Sequence, residues 1–307
     1  MKLNHNLAAV ITGTAIVSSL VVTIPQEVQA LTGEEVNDIA RNVTVLIAND
    51  KGGHGSGFII SQNGNTYYVL TANHVVYPNS KYTIVTHDKQ AYAIDYSKVK
   101  PLADADLAIV EFTSDHTYQV AKLADSGTAI QGSSVFISGW PRLTAVGNIA
   151  GGGLIRQFTD GQISGFLPQP LEGYEMIYTN TTLAGMSGGP VLDTEGRIVG
   201  IHGLGDTEES DSLVREGLSS GAARRIADLI KPGFNYAIPI NTFLDLAAQQ
   251  RVYLNLDVDT NPPSPLGAAY VASDEPDPRD RVELSDVLND INDTVDTFRN
   301  VCGFLGC

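Results

Sequence analysis

At 307 residues the chain is long enough for one large domain or two of ordinary size. With 43% hydrophobic and 18% charged residues, its composition is globular, which excludes a disordered chain, a collagen, a coiled coil and a multispan membrane protein. Nineteen basic against 35 acidic residues leave a formal charge of −16, which repels phosphate backbones, so nucleic acid is not an expected partner.

The first thirty residues read as a signal peptide. Lys2 begins a basic segment, Leu7 to Ile24 form an apolar run, and Val28-Gln29-Ala30 is a small-residue cleavage site before Leu31. An uncleaved anchor is the alternative. No cysteine follows the run to carry a lipid, since the only two are Cys302 and Cys307. The mature chain is expected to be exported, secreted or periplasmic, with no stable membrane span after signal removal.

From residue 41 onward, short apolar runs alternate with turn residues. Strands are expected at 42–48, 57–60, 67–71, 82–86 and 107–112, separated by Asn-Asp-Lys-Gly-Gly, Asn-Gly-Asn and Pro-Asn-Ser turns. After Asp125 the rhythm restarts at 134–138, 161–164, 176–179, 191–192 and 197–201. Many short strands in two runs predict an all-β chain built as two barrels or sandwiches, with a first domain over 31–125 and a second over 126–250. A short helix is expected at 222–230 and a closing helix at 242–251.

Residues 251–307 form a separate segment. Its first half is rich in proline and aspartate, which is linker composition. Leu284, Leu288, Ile291, Val295 and Phe298 then step by four and three, the pattern of a helix with one apolar stripe. That helix is read as docking on the body, with partner binding or self-association as the alternative. Cys302 and Cys307 could close a small loop or stay as thiols.

Three segments carry what a serine nucleophile needs. Thr71-Ala-Asn-His74 places a histidine after a strand, Asp106-Leu-Ala-Ile-Val an aspartate at a strand's mouth, and Gly185-Met-Ser187-Gly-Gly-Pro190 a serine in a glycine-rich turn. A serine hydroxyl needs an adjacent base, the base needs a carboxylate to hold its tautomer, and the turn must aim N–H groups at the developing oxyanion. Asp104 competes with Asp106 for the acid. His54, His87 and His116 are expected at the surface.

With Gly55-Ser-Gly-Phe-Ile-Ile60, these motifs occur in the order histidine, aspartate, serine, and over residues 40–250 the chain resembles the trypsin-like (chymotrypsin-fold) serine peptidases. Phe234-Asn-Tyr-Ala-Ile-Pro-Ile240 is similar to the end of the protease domain of bacterial HtrA-type enzymes. The resemblance implies two six-stranded antiparallel barrels with the active site between them. It makes His74 the general base, Asp106 its orienter, Ser187 the nucleophile, and the N–H groups of Gly185 and Ser187 the oxyanion hole. It implies protein or peptide substrates, no cofactor and no metal.

The chain departs from the trypsin pattern in having Met186 where digestive members have an aspartate that pairs with a new N-terminus. After residue 250 the remaining chain is too short and proline-rich to be expected to hold a PDZ module. Thr181 stands where a trypsin carries its specificity aspartate, so cleavage after Lys or Arg is not expected. Thr182 and His202 resemble the pocket pair of bacterial glutamyl endopeptidases, which implies a preference for Glu before the scissile bond. A preference for small or apolar residues is the alternative, and a catalytically silent binding protein on the same fold is the alternative function.

Overall fold

The computed structural model describes residues 31–77, 79–142, 153–205, 233–265 and 280–283. The expected signal peptide, the expected helix at 222–230, the expected C-terminal helix and both cysteines fall outside these residues.

The described chain opens with a helix, α1 (Gly33–Val43), that apolar spacing alone does not announce. Its signal is a capping box. The Thr32 hydroxyl accepts the Glu35 N–H at 3.3 Å, and the Glu35 carboxylate accepts the Thr32 N–H at 2.8 Å. Val36, Ala40 and Val43 then line one buried face.

Seven strands follow: β1 (Thr44–Asn49), β2 (His54–Asn63), β3 (Thr66–Thr71), β4 (Tyr82–Val85), β5 (Ala91–Ala93), β6 (Lys100–Leu102) and β7 (Leu107–Thr113). They form one antiparallel sheet in the order β5-β4-β1-β2-β3-β7-β6. Successive residues of a strand face opposite ways, and here both faces are buried. Ile59, Val69 and Val110 point into the sheet's own core with Tyr67 stacked on Phe112, ring centroids 5.2 Å apart. Their neighbours Phe58, Ile60, Leu70 and Ile109 point the other way, into a core shared with Phe136, Leu192 and Ile238 of the second sheet. That shared core holds the two halves together along the line where the site lies.

The second sheet contains β8 (Leu123–Ala124), β9 (Ser134–Gly139), β11 (Gln157–Leu171), β12 (Tyr174–Tyr178), β13 (Pro190–Leu192), β14 (Ile198–Leu204), β15 (Asn235–Pro239) and β16 (Val258–Asp259), while β10 (Gly153–Ile155) pairs with β17 (Arg281–Glu283). Its order is β13-β9-β11-β12-β15-β14-β8-β16, and a further β13–β14 pairing closes six of these strands into a barrel. The fold is therefore all-β and chymotrypsin-like, as expected, with one difference. The second half is a closed six-stranded barrel, whereas the first is a seven-stranded half-barrel with no ladder joining its ends among the described residues.

Helix α2 (Ile240–Gln249) starts two residues before the closing helix was expected and buries Ile240, Phe243 and Ala247. Beyond it, the first part of the proline- and aspartate-rich segment is bound to the barrel. β16 lies beside β8, Lys122 Nζ pairs with Asp259 at 3.0 Å, and Arg197 Nη1 donates to the Asn261 carbonyl at 3.1 Å.

Candidate active site

His74 follows β3 in a short 3-10 turn, Asn73–Val76, and is buried. Asp106 stands immediately before β7, the strand paired with β3, so the sheet register brings the two together. The Asp106 carboxylate holds His74 at two points: Oδ1 accepts the His74 backbone N–H at 2.9 Å, and Oδ2 lies 2.5 Å from Nδ1. With a carboxylate there, Nδ1 carries the proton and Nε2 is left as the basic nitrogen. Asp104, the competing acid, is exposed in the preceding turn.

Burial alone would raise the Asp106 carboxyl. The adjacent His74 and the hydrogen bonds from His74 and Tyr174 outweigh burial and hold it below the ordinary carboxylate range. It is therefore an anion wherever the fold persists near neutrality.

Ser187 comes from the loop between β12 and β13, and packing against the first sheet sets its backbone. Ser56 N–H donates to the Ser187 carbonyl at 2.8 Å, and the Ser56 hydroxyl donates to the Gly185 carbonyl at 2.9 Å while accepting the Trp140 N–H at 2.9 Å. Gly188 requires glycine twice over. Its φ is +84°, and a Cβ would fall 2.1 Å from the Ser56 carbonyl oxygen and 2.3 Å from the Thr71 hydroxyl. The Ser187 hydroxyl donates to the Gly203 carbonyl at 3.0 Å. Among the described residues, neither the Gly185 nor the Ser187 N–H donates to another group. Ser56 and Trp140 are the supporting residues that motif reading missed; Ser56 lies inside the Gly55-Ser-Gly motif but carries no chemistry that would single it out.

The three expected pocket residues divide. Thr181 is exposed, and its carbonyl accepts the Thr159 hydroxyl at 3.0 Å. Thr182 is buried and donates its hydroxyl to Asn235 Oδ1, while Asn235 Nδ2 donates to the Asn180 carbonyl. His202 is 2% exposed on β14, with Nδ1 hydrogen-bonded to the Tyr178 hydroxyl. Burial, with His74 nearby, pushes His202 down to about 3, so it is a neutral imidazole at pH 7. His116 is exposed as expected, but His54 is not a simple surface residue. It is half-buried, Nε2 donates to the Trp140 carbonyl at 3.0 Å, and burial with Arg142 nearby lowers it to about 4.

No group of three His, Cys, Asp or Glu side chains among the described residues could hold a metal ion. Nor is any helix among them long and apolar enough to cross a membrane.

Residues 55–201 match the family described as a trypsin-like peptidase domain, and His74, Asp106 and Ser187 all fall within that span. Over that span, a little under half of the 307 residues, the chain is similar to that family. Two relatives are named serine protease Do-like HtrA. The protein of Bacillus subtilis is 28% identical over 184 residues, covering 57% of this chain and 39% of its own length. That of Lactococcus lactis subsp. cremoris is 28% identical over 200 residues, covering 62% of this chain and 43% of its own length. A protein of Rhizobium meliloti named a probable periplasmic serine endoprotease, DegP-like, is 30% identical over 153 residues, 48% of this chain and 27% of its own length. The chain thus spans about two fifths of the length of the HtrA relatives it matches. These names support a serine endopeptidase, and the match falls on the part of the chain that builds the site.

Proposed function

We propose that the chain is an exported serine endopeptidase that hydrolyses peptide bonds through an acyl-enzyme. Ser187 is the nucleophile, His74 its general base and Asp106 the group that fixes the His74 tautomer. The observation that carries this reading is the two-point grip of Asp106 on His74, at the backbone N–H and at Nδ1. It leaves Nε2 as the only ring nitrogen able to take a proton.

In the attack, the Ser187 proton leaves the Gly203 carbonyl for His74 Nε2 as the oxygen bonds to the substrate carbonyl carbon. The imidazolium that forms is stabilised by Asp106 and returns the proton to the leaving amine. The Gly185 and Ser187 N–H groups receive the oxyanion; one such donor is worth roughly 10²–10³ in rate. Water then attacks the acyl-enzyme by the reverse sequence. The finer reading is a preference for Glu before the scissile bond, with His202 facing the carboxylate and the Thr182 hydroxyl turning from Asn235 to meet it. A neutral His202 can still donate Nε2–H, and a hydrogen bond to a charged acceptor contributes about 1.5–3 kcal/mol.

Export is inferred from the first thirty residues, and the name of the Rhizobium relative is in keeping with it. A fluorophosphonate probe tests the chemistry. The folded mature chain should be labelled once, at Ser187, and Ser187→Ala should not be labelled. Absence of labelling on the folded chain would favour a silent binding protein instead.

A further inference from the structure

The acid of the site is gripped from the opposite half of the molecule. β11 and β12 meet at Glu172 and Gly173, whose φ values of 52° and 86° make a tight turn. This tip sits on the loop before β7: a Cβ on Gly173 would come within 3.0 Å of the Ala105 Cβ. The Glu172 carbonyl accepts the Asp106 N–H at 2.9 Å. Two residues further on, the buried Tyr174 donates its hydroxyl to Asp106 Oδ2 at 2.6 Å. That is the oxygen lying 2.5 Å from His74 Nδ1.

Gly203 clears the way for the tyrosine. A Cβ there would lie 1.9 Å from the Tyr174 hydroxyl oxygen, so any other residue would displace it. The same Gly203 accepts the Ser187 hydroxyl on its carbonyl. One tyrosine therefore touches the acid and fills the space beside the strand residue on which the nucleophile rests.

We propose that Tyr174 is a positioning residue of the triad, its hydroxyl fixing the Asp106 carboxylate against His74 across the two sheets and moderating the pull of that carboxylate on the imidazole. This rests on the reading of His74 as the base for Ser187. Two donors share Oδ2, so each takes part of its negative charge. Without the tyrosine hydroxyl the carboxylate is less well held in its buried site, and more of its charge falls on His74, which favours the imidazolium. Among the titratable groups of the described residues placed against this pair are Tyr174 on β12 and His202 on β14, and burial keeps His202 neutral.

The test compares the mature chain with Tyr174→Phe by NMR titration of His74 and by the pH profile of kcat/KM on a peptide substrate. The His74 titration and the acid limb of kcat/KM should both move up by about 0.7 pH unit, the equivalent of one lost hydrogen bond. kcat should fall about ten-fold as the base loses its fixed orientation. A second pair guards against a folding defect. Tyr174→Ala with Gly203→Ser places a new hydroxyl one bond beyond the Cβ position, in the vacated space, and should restore both readouts relative to Tyr174→Ala alone. Gly203→Ser alone should lose activity through the overlap. An unmoved His74 titration in Tyr174→Phe, or failure of the pair to recover it, overturns the proposal. Absence of any Ser187-dependent hydrolysis by the unaltered chain would instead sink the peptidase reading, leaving the His74 titration to decide the role of Tyr174.

Discussion

Gly188→Ala is the sharpest perturbation of the nucleophile's loop, because the structure separates two costs that usually come together. The first is conformational. At φ +84°, an alanine pays about 1–2 kcal/mol for the left-handed backbone. The second is crowding. The new methyl would stand 2.1 Å from the Ser56 carbonyl and 2.3 Å from the Thr71 hydroxyl, and these two groups are themselves hydrogen-bonded at 2.7 Å, so neither can withdraw alone. Relief requires the loop to move by about an ångström, at a further 1–3 kcal/mol, roughly what overpacking a core costs. A shift of that size at Ser187 should lower kcat about 10²-fold. Gly132→Ala supplies the control, since its φ is +89° and nothing lies within 4 Å of its Cβ position. Urea unfolding should show a loss of about 1–2 kcal/mol for Gly132→Ala with unchanged kcat, and about 2–5 kcal/mol for Gly188→Ala with a large fall in kcat. Equal losses for the two variants, with kcat unchanged in both, would refute the steric account of the loop.

Two further outcomes follow from buried charge. His54 is lowered to about 4 and His202 to about 3, so well above pH 6.5 both are neutral, folded or unfolded, and cost nothing. As pH falls from 6.5 towards 4, the unfolded chain takes up protons that the folded chain refuses, so stability should drop by up to about 1.4 kcal/mol per pH unit for each. Urea midpoints from pH 7.5 to 4.5 should show a shallower decline in His54→Gln; an identical slope would contradict the assignment. Arg197 is 2% exposed and its guanidinium lies 2.7 Å from buried Asp193, while also holding the Asn261 carbonyl. Removing one partner of such a pair costs about 3–5 kcal/mol, so Arg197→Ala should be strongly destabilised and its 251–265 segment cut earlier by an added protease. A loss below about 1 kcal/mol, the range of surface pairs, would show that the pair does not hold the segment.

The strands were legible because their apolar residues alternate and glycine- and asparagine-rich turns bound them. Tyr67 to Thr71 and Leu107 to Phe112 fall almost where the alternation puts them. What alternation did not reveal is that these strands bury both faces, with Ile59 and Val69 in one core and Phe58 and Leu70 in another. The order of the motifs pointed to His74 and Asp106, which the structure joins, and to Ser187, whose hydroxyl rests on the Gly203 carbonyl; burial separates Asp106 from Asp104. Tyr174 was not legible as a contact of Asp106, since 68 residues separate them and the docking of the β11–β12 tip on the loop before β7 brings them together. The neutral state of His202 was hidden for a similar reason, because it follows from burial and from His74 nearby, which lies far off in the sequence. In the segment after residue 250, composition suggested a linker, yet Asp259 and Asn261 are among its attachments to the barrel.

The central claim is that Ser187, His74 and Asp106 cleave peptide bonds. It is tested most directly by digesting a mixed peptide library with the chain from Leu31 onward, beside its Ser187→Ala variant, and reading every cut by mass spectrometry. Abundant cuts, enriched after Glu, are expected, and they should fall by about 10⁶-fold in the variant. Equal cutting by both chains, or none by the folded unaltered chain, would contradict the claim.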